Sequence, residues 1–183
     1  MRTVGIGVLM ADTGEKARAL QHWSDLGVIH AEADTDKKGR GRYREYAAEP
    51  YFGERKFALI ASALNKLRIP LGEMRSIVDV FRGYGRPASD EITAVNKFKI
   101  SFFYQALYGR GVVLVLIGKL EQEGKDVLDL HFIPAVSENT ISPPPNVISR
   151  PGELPLQMIY GAMEMHESAY CLNLTKVFAP LRR

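Results

Sequence analysis

Three polar side chains near the start of the chain, Arg18, Gln21 and His22, are spaced so that one face of a helix would carry all of them. The opposite face of the same predicted helix is apolar and carries Ala19, Leu20, Trp23 and Leu26. Arginine and glutamine can pair with purine edges in the major groove of DNA, into which a short helix fits. We interpret this helix as a DNA-reading helix; the alternative is half of a small helical hairpin with a solvated polar face.

A dense cationic segment follows, with five cations in the eight residues 37–44. Its cations are Lys37, Lys38, Arg40, Arg42 and Arg44, and Gly39, Gly41 and Tyr43 lie between them. Glycine allows a backbone to approach a polyanion closely, so we interpret this cationic segment as a β-wing whose side chains, Tyr43 included, contact phosphates. Lys16, just before the polar helix, is predicted to contact phosphate as well. The alternative is a solvated basic loop.

Three further helices are predicted to position these side chains. The helix before the turn at Gly14 has its apolar stripe at Ile6, Leu9, Met10 and Thr13, so the pair forms a helix-turn-helix corner. Two more apolar stripes predict a helix starting near Tyr51 and another opening at Pro70. Their members are Phe57, Ile60, Ala61, Leu64 and Leu67, then Leu71, Met74, Ile77, Val78 and Phe81. Arg55 and Lys56 are interpreted either as phosphate contacts or as solvated surface residues.

The order of these residues resembles the N-terminal winged-helix DNA-binding domain of the MerR family of transcriptional regulators. Residues in register with the family pattern are Ile6, Gly7, Leu9, Thr13, Gly14, Arg18, Leu20, Asp25, Gly27 and Ile29, with His22 and Trp23 in place of its aromatic pair. Gly41-Arg42-Tyr43 and Tyr46 resemble the family's wing, and residues 67–74 resemble the entry to its fourth helix. The resemblance covers about residues 3–82 and nothing beyond them.

Several positions depart from the family pattern. Glu15 replaces a small apolar residue, and Lys16 replaces the Ser or Thr that would cap the helix, at a cost of about 1 kcal/mol. Ala19 and Gln21 stand where Thr and Arg are common, and the wing is about four residues longer. The resemblance therefore implies the fold but transfers no operator sequence.

The resemblance implies a dimeric, sequence-specific DNA-binding transcriptional regulator in the cytoplasm, associated with the nucleoid. A two-fold dimer on double-stranded DNA predicts a near-palindromic operator. The resemblance further implies distortion of an over-long promoter spacer and RNA polymerase as a partner. The alternative is an architectural or excisionase-like module that bends DNA without an effector.

The second half is predicted to be a small α+β domain, which makes the fold class α+β with residues 1–82 as the DNA-binding domain, 83–89 as a linker and 90–183 as an effector or dimerisation domain. Residues 90–108 are predicted to be a helix closed by Gly109, serving as a dimer helix or as core. An antiparallel sheet is predicted from a strand at residues 112–117, a hairpin turn at 121–126, a partner strand at 127–133 and a third strand at 170–178, with a helix at 154–166.

Charge and composition agree with this division. Residues 1–82 carry 14 Lys plus Arg against 11 Asp plus Glu, whereas residues 83–183 carry 10 of each, so the net charge of +3 lies in the proposed DNA-binding half. No apolar run is long enough for a membrane span, and no membrane partner is expected.

The second half offers few groups for catalysis or metal binding. Its candidates are His131, Glu164, His166, Glu167 and Cys171. They lack the spacing of a zinc helix, and Cys171 is interpreted as an inert thiol buried in a strand. We therefore expect no enzymatic activity, metal or cofactor, and a small organic molecule as the effector if this half binds one.

Overall fold

The computed structural model describes residues 2–33, 35, 44–48, 53–85, 94–122, 125–134 and 169–182. Within them it contains six α-helices and two antiparallel sheets, so the α+β fold class is confirmed. The chain divides into two compact units, the first formed by Met1–Ile92 with Pro180–Arg183 and the second by Thr93–Ala179. The predicted helix at 154–166 and all of the cationic segment except Arg44 lie outside the described residues.

The first unit combines a two-stranded sheet with four helices. In chain order they are β1 (Thr3–Gly5), α1 (Ile6–Thr13), α2 (Ala17–Asp25), β2 (Glu45–Ala47), α3 (Arg55–Lys66) and α4 (Leu71–Gly85). β1 and β2 pair in antiparallel register, with Val4 opposite Tyr46. The two predicted helices at the start of the chain are thus present, joined by a turn at Gly14, whose φ of 74° is the left-handed conformation that glycine adopts readily.

The bounds of two predicted elements were wrong. The third helix begins at Arg55 rather than near Tyr51, because Gly53 and Glu54 are not helical. The linker predicted at residues 83–89 is helical as far as Gly85, because the apolar stripe of α4 carries the helix past Phe81 and its two glycines lie in the last turn. The remainder of that linker lies outside the described residues.

The apolar stripes of the four helices form the core of the first unit. The fully buried members of these stripes are Leu9, Leu20, Phe57, Ile60, Ala61, Leu64, Ile77, Val78 and Phe81. Trp23 is 4% exposed, and Val28 and Ile29, which follow α2, are fully buried as well. Three residues predicted to lie on these stripes are instead exposed, namely Met10, Leu26 and Leu67. Leu26 and Leu67 follow the last residues of α2 and α3, where the chain has already left the helical path.

A buried ion pair joins three parts of this core. Glu54, which precedes α3 and is 1% exposed, accepts a hydrogen bond from Arg82 Nη2 near the end of α4 at 3.2 Å. The same Nη2 donates to the Val28 carbonyl at 3.0 Å, and the His30 N–H donates to Glu54 Oε2 at 3.1 Å. The Arg82 guanidinium also lies 4.9 Å from the centre of the Phe57 ring. The pair thereby connects α3 and α4 to the residues that follow α2.

Removing one partner of this pair should destabilise the first unit strongly. We expect Glu54→Ala to lower the free energy of unfolding by about 3 kcal/mol, because it leaves the largely buried Arg82 guanidinium with only the exposed Asp79 as a counter-ion. Asp79→Asn is the matched control: Asp79 also pairs with Arg82, but its side chain is 47% exposed, so the loss should be below about 1 kcal/mol. Chemical denaturation measures both. Equal losses for the two variants would contradict the role assigned to Glu54.

The second unit packs helices against a three-stranded sheet. Its elements are α5 (Ala94–Tyr108), β3 (Val113–Gln122), β4 (Lys125–Pro134), β5 (Ala169–Asn173) and α6 (Leu174–Val177). The sheet is antiparallel with the order β4-β3-β5. The helical interpretation of residues 90–108 is confirmed from Ala94 onward, and the helix ends at Gly109, which has a φ of 69°.

Two predictions about the sheet need correction. Strands β3 and β4 pair as far as Gln122 with Lys125, so the hairpin turn is tighter than the predicted 121–126. The third strand ends at Asn173 rather than Phe178, because the Asn173 side chain accepts a hydrogen bond from the Lys176 N–H at 3.0 Å and caps α6.

The sheet of the second unit buries apolar residues on both of its faces. Leu116 and Ile133, with Leu114 packed against them, form a cluster on the face opposite Val115. Val115 is opposite Phe132 on one side and Leu172 on the other, and all three are buried. Phe103 of α5 packs edge-on against Phe178, with ring centres 5.3 Å apart. Across the described part of the chain, no helix is both long enough and apolar enough to span a membrane.

Candidate nucleic-acid interface

The exposed face of α2 carries the three side chains that the sequence assigns to base reading. Arg18, Gln21 and His22 are all exposed, whereas Leu20 and Trp23 on the opposite side of the helix are buried. Residues 18–22 of α2 span a little over one helical turn. The structure therefore presents them together as one polar surface.

Lys16 lies at the start of the same helix and is exposed. Its backbone is extended (φ −75°, ψ 148°), and its carbonyl accepts hydrogen bonds from the N–H groups of Ala19 and Leu20. No side chain caps this end, as the replacement of Ser or Thr by Lys16 implies. The first N–H groups of α2 therefore receive no side-chain cap from Lys16, and such a helix end favours anions.

The turn between α1 and α2 is bonded to α3 through two acidic residues. Asp12 accepts hydrogen bonds from Arg55 Nε at 2.6 Å and Nη2 at 2.9 Å. Glu15 Oε1 accepts from Ser62 Oγ at 2.9 Å and from Asn65 Nδ2 at 3.2 Å. Glu15, which departs from the resembling family's pattern, thus has polar partners that stabilise it here.

Both interpretations of Lys56 were wrong, and Arg55 is bonded within the fold rather than freely solvated. The bidentate hydrogen bond to Asp12 occupies Arg55 and raises its pKa, so the guanidinium stays charged within the fold. Lys56 is 1% exposed, with its Nζ 5.1 Å from the centre of the Phe57 ring. Arg55 is bonded to Asp12 of α1, and the Lys56 side chain is buried beside the Phe57 ring.

The end of α2 is closed by a glycine turn. The Gly27 N–H donates to the Ser24 carbonyl at 3.1 Å and the Val28 N–H to the Trp23 carbonyl at 2.8 Å, which together form a Schellman motif. Gly27 has a φ of 73°, and a Cβ there would lie 3.5 Å from the Arg75 guanidinium carbon. Gly27 thus follows the C-cap residue Leu26 and supplies the left-handed conformation that ends the helix.

Arg44, just before β2, and Tyr46, within β2, contact the last turns of α2. Tyr46 Oη and Ser24 Oγ are 2.9 Å apart. Arg44 Nη2 donates to Asp25 Oδ1 at 2.7 Å and Nη1 to the Gln21 carbonyl at 3.1 Å. Sequence reasoning missed the pairing of Arg44 with Asp25, since a separation of 19 residues carries no periodic signal.

The two ends of the predicted wing lie close together. The Glu32 N–H donates to the Glu45 carbonyl at 2.8 Å, and the Glu45 N–H donates to Thr35 Oγ1 at 3.0 Å. Five of the predicted phosphate-contacting residues, Lys37, Lys38, Arg40, Arg42 and Tyr43, lie outside the described residues.

Gly27→Ala should destabilise the first unit by about 1–2 kcal/mol, because an L-residue at this positive φ is strained. Gly83→Ala is the control, since Gly83 is an exposed glycine in α4 with nothing near a new Cβ. It should stabilise by about 0.5–1 kcal/mol. Denaturant titrations give both values, and a stabilising Gly27→Ala would contradict the turn geometry.

The second unit brings two of its candidate groups onto one face of the sheet. Leu116 is opposite both His131 and Cys171, so these two lie in one row with Leu116 between them. Glu164, His166 and Glu167 lie outside the described residues. Within the described ranges, no three metal-binding side chains form a group that could hold an ion.

Cys171 is exposed, and its predicted burial in a strand was wrong. The strand is correct and Leu172 is buried, but Cys171 lies on the opposite face of this outer strand and is exposed although its cross-strand neighbour Leu116 is buried. Partial desolvation by neighbouring atoms raises the pKa of the Cys171 thiol. An activated nucleophile needs the opposite shift.

Cys171 should therefore be alkylated slowly by iodoacetamide at neutral pH, because a raised pKa leaves less thiolate at any given pH. The rate should rise with pH, with its midpoint above that of the same thiol in the denatured chain. Since this is the one cysteine of the sequence, the label is unambiguous. A midpoint below the denatured control would contradict the expectation.

No family model matches the chain, and no curated protein matches it either. The surface of α2 and the contacts that hold this helix are therefore the features that bear on function.

Proposed function

We propose that the first unit is a winged helix-turn-helix domain that binds double-stranded DNA, and that the protein is a dimeric transcriptional regulator of the MerR type. The observation that carries the proposal is the exposed row of Arg18, Gln21 and His22 on a short helix whose opposite face is buried. Side chains of these types can hydrogen-bond to base edges, and α2 has the size of a groove-reading helix.

The contacts around α2 support this role because they hold the helix before any ligand binds. Its start follows a turn bonded to α3 through Glu15, and its end is closed by the Gly27 turn and contacted by Tyr46. A surface that is already ordered loses less conformational entropy on binding. If α2 served only to cover the core, its buried apolar face would be sufficient.

The distribution of cations supports a polyanionic partner. Lys16 and Arg18 are exposed at the start of α2. The cationic segment is joined to this unit through residues 32–35 and 44–45, which bond to one another. In the proposed complex Lys16 and the cationic segment neutralise phosphates while the face of α2 reads bases.

The second unit is proposed to mediate dimerisation or to bind a small organic effector. A dimer related by a two-fold axis would place two copies of α2 on two half-sites, giving a near-palindromic operator. Distortion of promoter DNA and contact with RNA polymerase belong to the same proposal through the MerR resemblance.

Binding to random-sequence duplexes at low ionic strength tests the proposal, followed by a salt titration and selection of the preferred site. We expect salt-sensitive binding and a near-palindromic selected site. Selection of DNA shape without a base pattern would favour the architectural, excisionase-like alternative. Failure to bind any duplex at low ionic strength would contradict DNA binding altogether.

Arg18→Ala and Lys16→Ala should separate base reading from phosphate contact. Arg18→Ala is expected to relax discrimination at one operator position by about 1–3 kcal/mol. Lys16→Ala should weaken binding to all sequences alike and lower the slope of log K against log salt by about one. Competition assays on the selected site and its single-base variants measure both effects. Unchanged discrimination by Arg18→Ala would contradict the placement of α2 in the groove.

A further inference from the structure

Arg44 differs from the other described cations beside α2. Its side chain is 15% exposed and makes two hydrogen bonds to α2, to Asp25 Oδ1 and to the Gln21 carbonyl. Lys16 and Arg18, by contrast, are exposed. Arg44 is therefore directed at the protein's own helix.

We propose that Arg44 is a positioning residue that neutralises Asp25 at the DNA interface and fixes the last turn of α2, and that it is not a phosphate ligand. The proposal rests on the proposed function of the first unit. It changes the role predicted for Arg44 from the sequence and leaves the other members of the cationic segment as phosphate contacts.

The position of Asp25 explains why it needs a counter-ion. Its spacing from Arg18, Gln21 and His22 places it on the same face of α2, and its side chain is 43% exposed. A lone carboxylate there would repel the phosphates of a bound duplex. It also lies in the last turn of the helix, where the backbone dipole disfavours a negative charge. A guanidinium that bonds both the carboxylate and a nearby helix carbonyl offsets both effects.

The location of Arg44 beside β2 gives it a second effect. Arg44 and Tyr46 are alternate residues of one extended segment, and both contact the last turns of α2, Tyr46 through Ser24. The base of the wing and the reading helix are thus held as one piece. If Arg44 turned to a phosphate, it would break both bonds and withdraw its charge from Asp25.

A double-mutant cycle tests the proposal on the full chain. The variants are Arg44→Ala, Asp25→Asn and the two combined, with Lys16→Ala as the control for a phosphate contact. Affinity for the selected duplex is measured across a salt series, and thermal unfolding of each variant is recorded. If Arg44→Ala lowers the unfolding midpoint, Arg44→Gln replaces it in the cycle, since glutamine keeps a donor without the charge.

We expect Arg44→Ala to weaken binding roughly five- to tenfold, because it removes the guanidinium that offsets the charge of the exposed Asp25 carboxylate. The combined variant has the wild-type net charge and should recover most of that loss, with the wild-type salt slope. Asp25→Asn alone should bind at least as well as the wild type.

A phosphate ligand would behave differently. The combined variant would then bind as weakly as Arg44→Ala, and both would lower the salt slope by about one, as expected for Lys16→Ala. That result, or weak binding by Asp25→Asn alone, would overturn the proposal while leaving DNA binding intact. A wild-type chain that binds no duplex would instead overturn the proposed function.

Discussion

The buried pair of Glu54 and Arg82 is the constraint on which the arrangement of the first unit depends. A buried ion pair adds little net stability compared with apolar packing, but its geometry is specific because each charge must keep its partner. Here Arg82 reaches both Glu54 and the Val28 carbonyl, and Glu54 also receives the His30 N–H. Since residues 28–30 follow α2 directly, the pair ties the exit of that helix to α3 and α4. Arg82 Nε is buried without a hydrogen-bond partner, a cost that the two Nη groups and the Phe57 ring must offset.

Around this constraint the polar contacts of the first unit concentrate on α2. The turn before α2 is bonded to α3 through Asp12 and Glu15, and the last turns of α2 are bonded to Arg44 before β2 and to Tyr46 within it. Burial of its apolar face holds α2 against the core. The polar contacts fix its orientation, because hydrogen bonds depend on angle whereas the hydrophobic effect is non-directional. The unusual Glu15 belongs to this set, so a departure from the MerR pattern is compensated by Ser62 and Asn65 on a neighbouring helix.

Local patterns could predict the elements of the fold but not their long-range polar links. The spacing of apolar residues predicted the helices, and the glycines after α1, α2 and α5 marked their ends. Both signals depend on nearby residues alone, and all three glycines have a positive φ in the structure. The predicted exposure of Arg18, Gln21 and His22 followed from the same periodicity. Pairs such as Asp12 with Arg55 join residues 43 apart, and no local spacing indicates them. The burial of Lys56 and the exposure of Cys171 depend likewise on which neighbours the tertiary fold provides.

These long-range pairs also decide what charge the proposed interface presents. Asp12, Asp25 and Glu54 each bond an arginine of the same unit, namely Arg55, Arg44 and Arg82. The two charges of each such pair nearly cancel, so the pair contributes little to the electrostatic field away from it. Among the described residues at the start of α2, Lys16 and Arg18 are exposed cations, and Glu15 beside them bonds Ser62 and Asn65 rather than a cation. A modest net charge of +3 is therefore compatible with a locally positive surface, because three of the acids in this unit are matched by arginines within the fold.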